Sequence, residues 1–70
     1  MTTGISIQVN GENRQVAPGT TVEDLLRELA LPPGRVAIER NLEILPRPQW
    51  AGTRIEPKDR YEIVHFVGGG

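Results

Sequence analysis

Ile5, Ile7 and Val9 alternate with Ser6, Gln8 and Asn10, and this period of two predicts a strand with one buried face. Asn10-Gly11 follows, a pair suited to the two positive φ angles of a type I′ hairpin turn. Residues 14–17 read as a shorter returning strand, which Pro18-Gly19 breaks. The period then changes. Val22, Leu25, Leu26 and Leu29 are spaced i, i+3, i+4 and i+7, the apolar stripe of a helix. Thr21 is placed to cap it, and Glu23 and Asp24 put negative charge where the helix dipole favours it. The helix is predicted over 21–30, with Pro32-Pro33-Gly34 stopping it around Leu31. Val36, Ala37 and Ile38 mark a third strand within 35–40. Leu42, Ile44 and Leu45 are apolar, but Pro46 and Pro48 forbid a regular central strand. A short strand near 43–45 is expected there, then a turn around Gln49-Trp50-Ala51. Residues 57–60 read as a turn containing Asp59, and 61–67 as the last strand.

Strand, strand, helix, strand, short strand, strand is an α+β order, and one helix covers one face of a sheet. The arrangement that fits is the β-grasp (ubiquitin-like) fold: a mixed sheet of four to five strands packed on one α-helix. The last strand should lie in the middle, parallel to the first, a pairing that the long crossover through the helix permits. Residues 1–67 are expected to form a single domain and 68–70 a flexible glycine tail.

The last strand is unusual in being apolar on both sides. Tyr61, Ile63, His65 and Val67 share one side; Glu62, Val64 and Phe66 share the other. If Tyr61 and Ile63 face the helix, Val64 and Phe66 face outward. Two readings are open: a docking patch beside the chain end, or a strand end with a few surface hydrophobes.

Composition narrows the chemistry. The chain has no cysteine and one histidine, His65, so a disulfide, a thiolate nucleophile and a multi-His metal site are all excluded. A net charge of −1 gives no broad attraction to nucleic acid or anionic lipid. No apolar run approaches a membrane span, and Met1-Thr2-Thr3-Gly4 lacks the start of a signal peptide, so a cytoplasmic monomer is the default expectation. His65 reads as a packing or surface residue rather than a catalyst. Glu23, Asp24 and Glu28 read as helix surface, and Trp50 as a lid on a core edge. No segment has the glycine spacing and lysine of a phosphate loop.

The end Gly68-Gly69-Gly70 remains. An α-carboxylate, with a pKa of about 3.3–3.7, is ionised near neutrality and reacts as an acyl donor only after activation. A slim glycine lead, reaching about 10 Å over its three residues, suits entry of that carboxylate into a narrow partner site.

Val9-Asn10-Gly11-Glu12, residues 21–26 and 36–41, the Pro46-Arg47-Pro48-Gln49-Trp50 run and the glycine end together resemble the ThiS family of sulfur carriers over essentially the whole chain. The Pro-Arg-x-x-Trp run favours ThiS over the related molybdopterin carriers. The turn before the last strand departs from the family, which often has Gly-Asp where this chain has Lys58-Asp59. The resemblance implies a stoichiometric carrier, not an enzyme, with no bound cofactor. It implies a ThiF-like enzyme that adenylates the Gly70 carboxylate with ATP and Mg²⁺, with Gly68 and Gly69 entering the partner site. Sulfur from a cysteine desulfurase then gives a thiocarboxylate, and a ThiG-like thiazole synthase receives it. Val64 and Phe66 are the expected partner-docking face. Three alternatives stay open: a carrier for another pathway such as molybdopterin, a ubiquitin-like protein modifier, or a non-catalytic interaction domain.

Overall fold

The computed structural model describes residues 4–66. Val67 and the tail Gly68, Gly69 and Gly70 lie outside the described residues, as do Met1, Thr2 and Thr3.

Strand β1 (Ile5–Val9) turns back into β2 (Glu12–Val16) through Asn10-Gly11. Asn10 at φ 51° and Gly11 at φ 84° supply the positive angles a type I′ turn requires. The second strand therefore begins earlier than its apolar residues suggest, with Val9 paired to Glu12 and Ile5 to Val16. Helix α1 (Val22–Glu28) follows, then a 3₁₀ turn at Pro33–Arg35, β3 (Val36–Arg40), β4 (Glu43–Ile44), a second 3₁₀ turn at Arg47–Gln49, and β5 (Arg60–His65). The sheet order is β2-β1-β5-β3-β4. As expected, the last strand is central: parallel to β1 through Gln8–Arg60 and Val9–Tyr61, and antiparallel to β3 from Val36–His65 to Arg40–Tyr61.

The helix starts as predicted and stops earlier. Thr21 Oγ1 accepts from the Asp24 N–H, and the Asp24 carboxylate accepts from the Thr21 N–H, each at 3.1 Å. These bonds, that to the Thr21 backbone first, hold the Asp24 carboxyl below its ordinary value. The stop is not the proline pair. Ala30 adopts φ 58°, its N–H donates to the Arg27 carbonyl (3.0 Å), and the Leu31 N–H donates to the Leu26 carbonyl (3.1 Å). This is a Schellman closure with alanine at the left-handed position that glycine usually fills. Periodicity missed it because Leu29 and Leu31 still pack against the core.

One face of the sheet closes on the helix. Ile7, Val22, Leu25, Ile38 and Tyr61 are almost fully buried, and Trp50 is 4% exposed, inside the core rather than a lid on its edge. The turn at Asp59 is more than a turn. Its carboxylate is buried and accepts from the Glu56 N–H (2.9 Å), the Tyr61 hydroxyl (2.9 Å), Arg40 Nε (3.1 Å) and Asn41 Nδ2 (3.1 Å). Burial alone raises the Asp59 pKa. The bonds from Glu56, Asn41 and Tyr61 and the charge of Arg40 outweigh it and leave the group below its ordinary 3.8. The same burial, with the neighbouring carboxylate, raises the Tyr61 phenol far above its ordinary 10.0.

Two outcomes follow. A carboxyl depressed in the folded state stabilises above its unfolded pKa, and that contribution is lost as pH falls through the folded value. Stability should therefore drop as pH falls below about 4. Asp59→Ala should cost about 2–4 kcal/mol at neutral pH and flatten that acid limb, because Arg40 loses its partner; urea unfolding at neutral and acid pH reads both. Ala30→Gly should stabilise by about 0.5–1 kcal/mol, since glycine carries no Cβ penalty at positive φ; the urea midpoint checks it.

Candidate functional site

The site is the end of the central strand, and three devices hold it. The first is the Asp59 cluster at the strand's start, where the Gln8 N–H also donates to the Asp59 carbonyl at 3.0 Å. The second is Asn10. Where β1 leaves the sheet at its turn, the Asn10 side chain takes over the ladder: Oδ1 accepts from the Ile63 N–H (2.8 Å) and Nδ2 donates to the Ile63 carbonyl (3.2 Å). The third is β3, which pairs up to His65 and then receives the Phe66 N–H on the Arg35 carbonyl (2.7 Å). The chain is thus held from both flanks as far as Ile63, and from the β3 side on to Phe66.

Alternation along this strand divides it as predicted. Tyr61 and Ile63 are buried against the helix layer, while Val64 and Phe66 are each 55% exposed on the opposite face. Ala37, opposite Val64, is too small to cover it. His65, on the helix side, lines a groove of about 390 Å³ with Val9, Asn10, Leu29, Leu31 and Ile63. Among the described residues no carboxylate or hydroxyl bonds to its imidazole, so nothing there equips it as an acid or base. The carboxylates Glu23, Asp24 and Glu28 pair with Arg27 and Arg14 on the helix surface, far in role from any site. The expected tail residues Gly68, Gly69 and Gly70 lie outside the described residues.

The Pro-Arg-x-x-Trp run belongs to the scaffold. Pro46 opens a 3₁₀ turn that sets the Arg47 guanidinium 5.8 Å from the centre of the Trp50 ring. The indole N–H donates to the Leu45 carbonyl (2.8 Å), and the Trp50 carbonyl accepts the Glu23 N–H (3.2 Å). The motif therefore satisfies one free amide at the helix start. The Lys58-Asp59 departure also has a structural meaning. Lys58 sits at φ 71° after Pro57, the third position of a type II turn, where glycine is preferred. The turn is kept with lysine because the Lys58 N–H donates to the Ser6 carbonyl (2.8 Å) and Asp59 closes the turn back on Glu56, its carboxylate accepting from the Glu56 N–H (2.9 Å). Sequence reading missed the Asn10 and Asp59 side chains, since nothing local shows that either reaches across the sheet.

Five strands in the order β2-β1-β5-β3-β4, one covering helix and a central last strand define a β-grasp protein of the ubiquitin-like class. The ThiS family profile matches residues 7–70, and this chain belongs to the ThiS family. It is 38% identical over 65 residues to the sulfur carrier protein ThiS of Bacillus subtilis, covering 91% of this chain and 98% of that one. It is 44% identical over 66 residues to the thiazole synthase of Paramagnetospirillum magneticum, covering 94% of this chain but only 20% of that protein. The chain thus spans about a fifth of the length of the thiazole synthases it matches. The crystal structure of the thiamine biosynthesis protein ThiS from Geobacter metallireducens superposes with a TM-score of 0.80 at 32% identity, covering 94% of this chain and 100% of that one.

The two sides of β5 should separate in measurement. Val64→Ser and Phe66→Ser are expected to leave the unfolding free energy within about 0.5 kcal/mol. Ile63→Ala should lower it by about 2–4 kcal/mol, because it empties the buried side. Denaturant titration of the three variants checks the division.

Proposed function

We propose that this chain is a sulfur carrier of thiamine biosynthesis, and that its working group is the carboxylate of Gly70. The observation that carries this is the family match running through Gly70, at the end of a lead that leaves the central strand beside an exposed apolar face. In this reading no side chain of the carrier acts as acid, base or nucleophile, and its one reacting group is the terminal carboxylate. It presents a terminus and a surface, and partner enzymes act on them.

The chemistry needs activation first. The Gly70 carboxylate attacks the α-phosphorus of ATP in a ThiF-like enzyme, releasing pyrophosphate and leaving an acyl-adenylate. ATP and its Mg²⁺ belong to that enzyme. A persulfide supplied through a cysteine desulfurase attacks the acyl carbon and AMP departs. A thiol then cleaves the resulting acyl disulfide and leaves the thiocarboxylate. A ThiG-like thiazole synthase is the receiver, a reading supported by the likeness of this chain to a segment of proteins named thiazole synthase. In this reading the carrier works in the cytoplasm, where ATP is at hand. Gly68 and Gly69 give the lead its slimness: without a Cβ it threads a narrow channel in any backbone geometry the partner imposes. The absence of cysteine means that no side-chain thiol of the carrier competes for the activated end.

Intact mass spectrometry tests the reading. With a ThiF-like enzyme and ATP the chain should gain an adenylyl group, and with a sulfur source it should become heavier by the difference between sulfur and oxygen. No adduct under either condition sinks the carrier assignment, whereas isopeptide conjugates without a thiocarboxylate would point to a protein modifier. Gly69→Val should slow adenylation by about a hundredfold, the scale of cost for a misplaced reacting group, with no change in the urea midpoint. A residue added after Gly70 should abolish it.

A further inference from the structure

The start of β5, at the far end of the strand from the tail, carries a different surface. Gln8 on β1 pairs with Asn13 on β2 and with Arg60 on β5, so these side chains form a row across neighbouring strands. Ile7 and Tyr61 are buried, so the row faces away from the helix. With Ser6 and Lys58 it lines a groove of about 480 Å³. Among the described residues no carboxylate lines that groove, and the exposed Lys58 and Arg60 take part in no ion pair. Lys58 is also the single lysine among the chain's eight basic residues, and there is no cysteine. A guanidinium stays protonated and does not attack a carbonyl carbon, so Lys58 Nζ is the one side-chain group that can take up an acyl group as a stable amide.

A cationic groove walled by amide side chains is complementary to an anionic end with a bare backbone. Gln8 and Asn13 offer hydrogen bonds to peptide groups, and Arg60 offers a fork for a phosphate or carboxylate. An adenylated glycine end presents both peptide groups and a phosphate. The chain's own end falls short of the groove. Phe66 stands six strand positions from Arg60, about 20 Å, and the four residues after Phe66 extend about 14 Å at most. We propose that the groove takes the glycine end of a second copy of this chain, and that Lys58 is its acyl acceptor. In the step, the neutral Lys58 Nζ attacks the acyl carbon of the Gly70 adenylate. The N–C bond forms, the bond to the AMP oxygen breaks, AMP leaves with that electron pair, and water takes the extra proton from nitrogen. The product is one carrier joined through its Gly70 to Lys58 of another, with nothing oxidised or reduced. The proposal rests on the carrier reading and adds a second fate for the activated end. A persulfide is the stronger nucleophile near neutrality, so the amide forms where sulfur is withheld.

The test incubates wild type, Lys58→Arg and Arg60→Gln with a ThiF-like adenylating enzyme, ATP and Mg²⁺, without a sulfur source, and reads each by intact mass and peptide mapping. Wild type should give a product of two chains less one water, branched at Lys58. Lys58→Arg should be adenylated as fast as wild type, keep its urea midpoint and give no such product. Arg60→Gln should be adenylated equally and lower the yield about tenfold, the scale of one charge-assisted hydrogen bond. Adding a persulfide should replace the joined product by the thiocarboxylate. Wild type that is adenylated yet never joined overturns this proposal and leaves the carrier reading standing. A joined product that persists in Lys58→Arg, carried by the Met1 amine, overturns the choice of Lys58. An unchanged yield in Arg60→Gln overturns the groove as the seat of the incoming end. A wild-type chain that is not adenylated at all overturns the carrier reading and this proposal with it.

Discussion

The buried carboxylate of Asp59 is the point from which the central strand hangs. It gathers a turn amide, a phenol, a guanidinium and a side-chain amide at distances of 2.9 to 3.1 Å. Those four donors come from the turn before β5, from β5 itself, and from the end of β3 and the residue after it. One group thereby ties the start of the last strand to one of its two neighbours, while the Asp59 carbonyl ties it to the other through Gln8. An unpaired carboxylate in that position would be costly to bury, so the network is cooperative: each donor holds the acceptor in the charge state the others need. With that start in place, Asn10 and β3 carry the strand to Phe66.

A last strand restrained in this way suits the carrier role proposed above. A reactive end on a loose segment would have to be ordered by each partner at an entropic cost. Here the backbone is restrained up to the last described residue, and the surface beside it carries apolar groups. In the proposed function, recognition by the face and chemistry at the end are separate. The β-grasp scaffold suits this because its central strand is its last one, so the stiffest element of the sheet leads directly to the tail.

Several irregular positions show where the chain departs from the residue each turn favours. Ala30, Leu42 and Lys58 occupy positive φ angles, of 58°, 74° and 71°, without being glycine. Ala30 closes the helix, Leu42 joins Asn41 in the tight β3–β4 turn, and Lys58 sits in the turn before the Asp59 cluster. Each holds its conformation because flanking hydrogen bonds over-determine it. The same bonds explain why the helix and strand limits differ by a residue or two from those the apolar period suggests.

The alternation of Ile5, Ile7 and Val9, the Asn-Gly turn, the helical spacing from Val22 to Leu29 and the two-sided last strand were legible because they are local patterns of period and turn chemistry. Together with chain order they were enough for the fold class and for the outward placement of Val64 and Phe66, whereas the family was legible only by resemblance, through the Pro-Arg-x-x-Trp run and the glycine end. The glycine end drew attention by composition alone. Tertiary structure decided what no local pattern encodes. It turned Asp59 from a turn residue into a hub, because two of its four donors come from 18 and 19 positions away. It extended the β1 ladder through the Asn10 side chain to a residue 53 positions away. It made the Pro-Arg-x-x-Trp run a brace for the helix start, and it set Gln8 between Asn13 and Arg60. Each of these depends on how segments distant in the chain pack together, by strand register across the sheet or, for the brace, by the docking of a turn on the helix start, and not on any one segment's sequence.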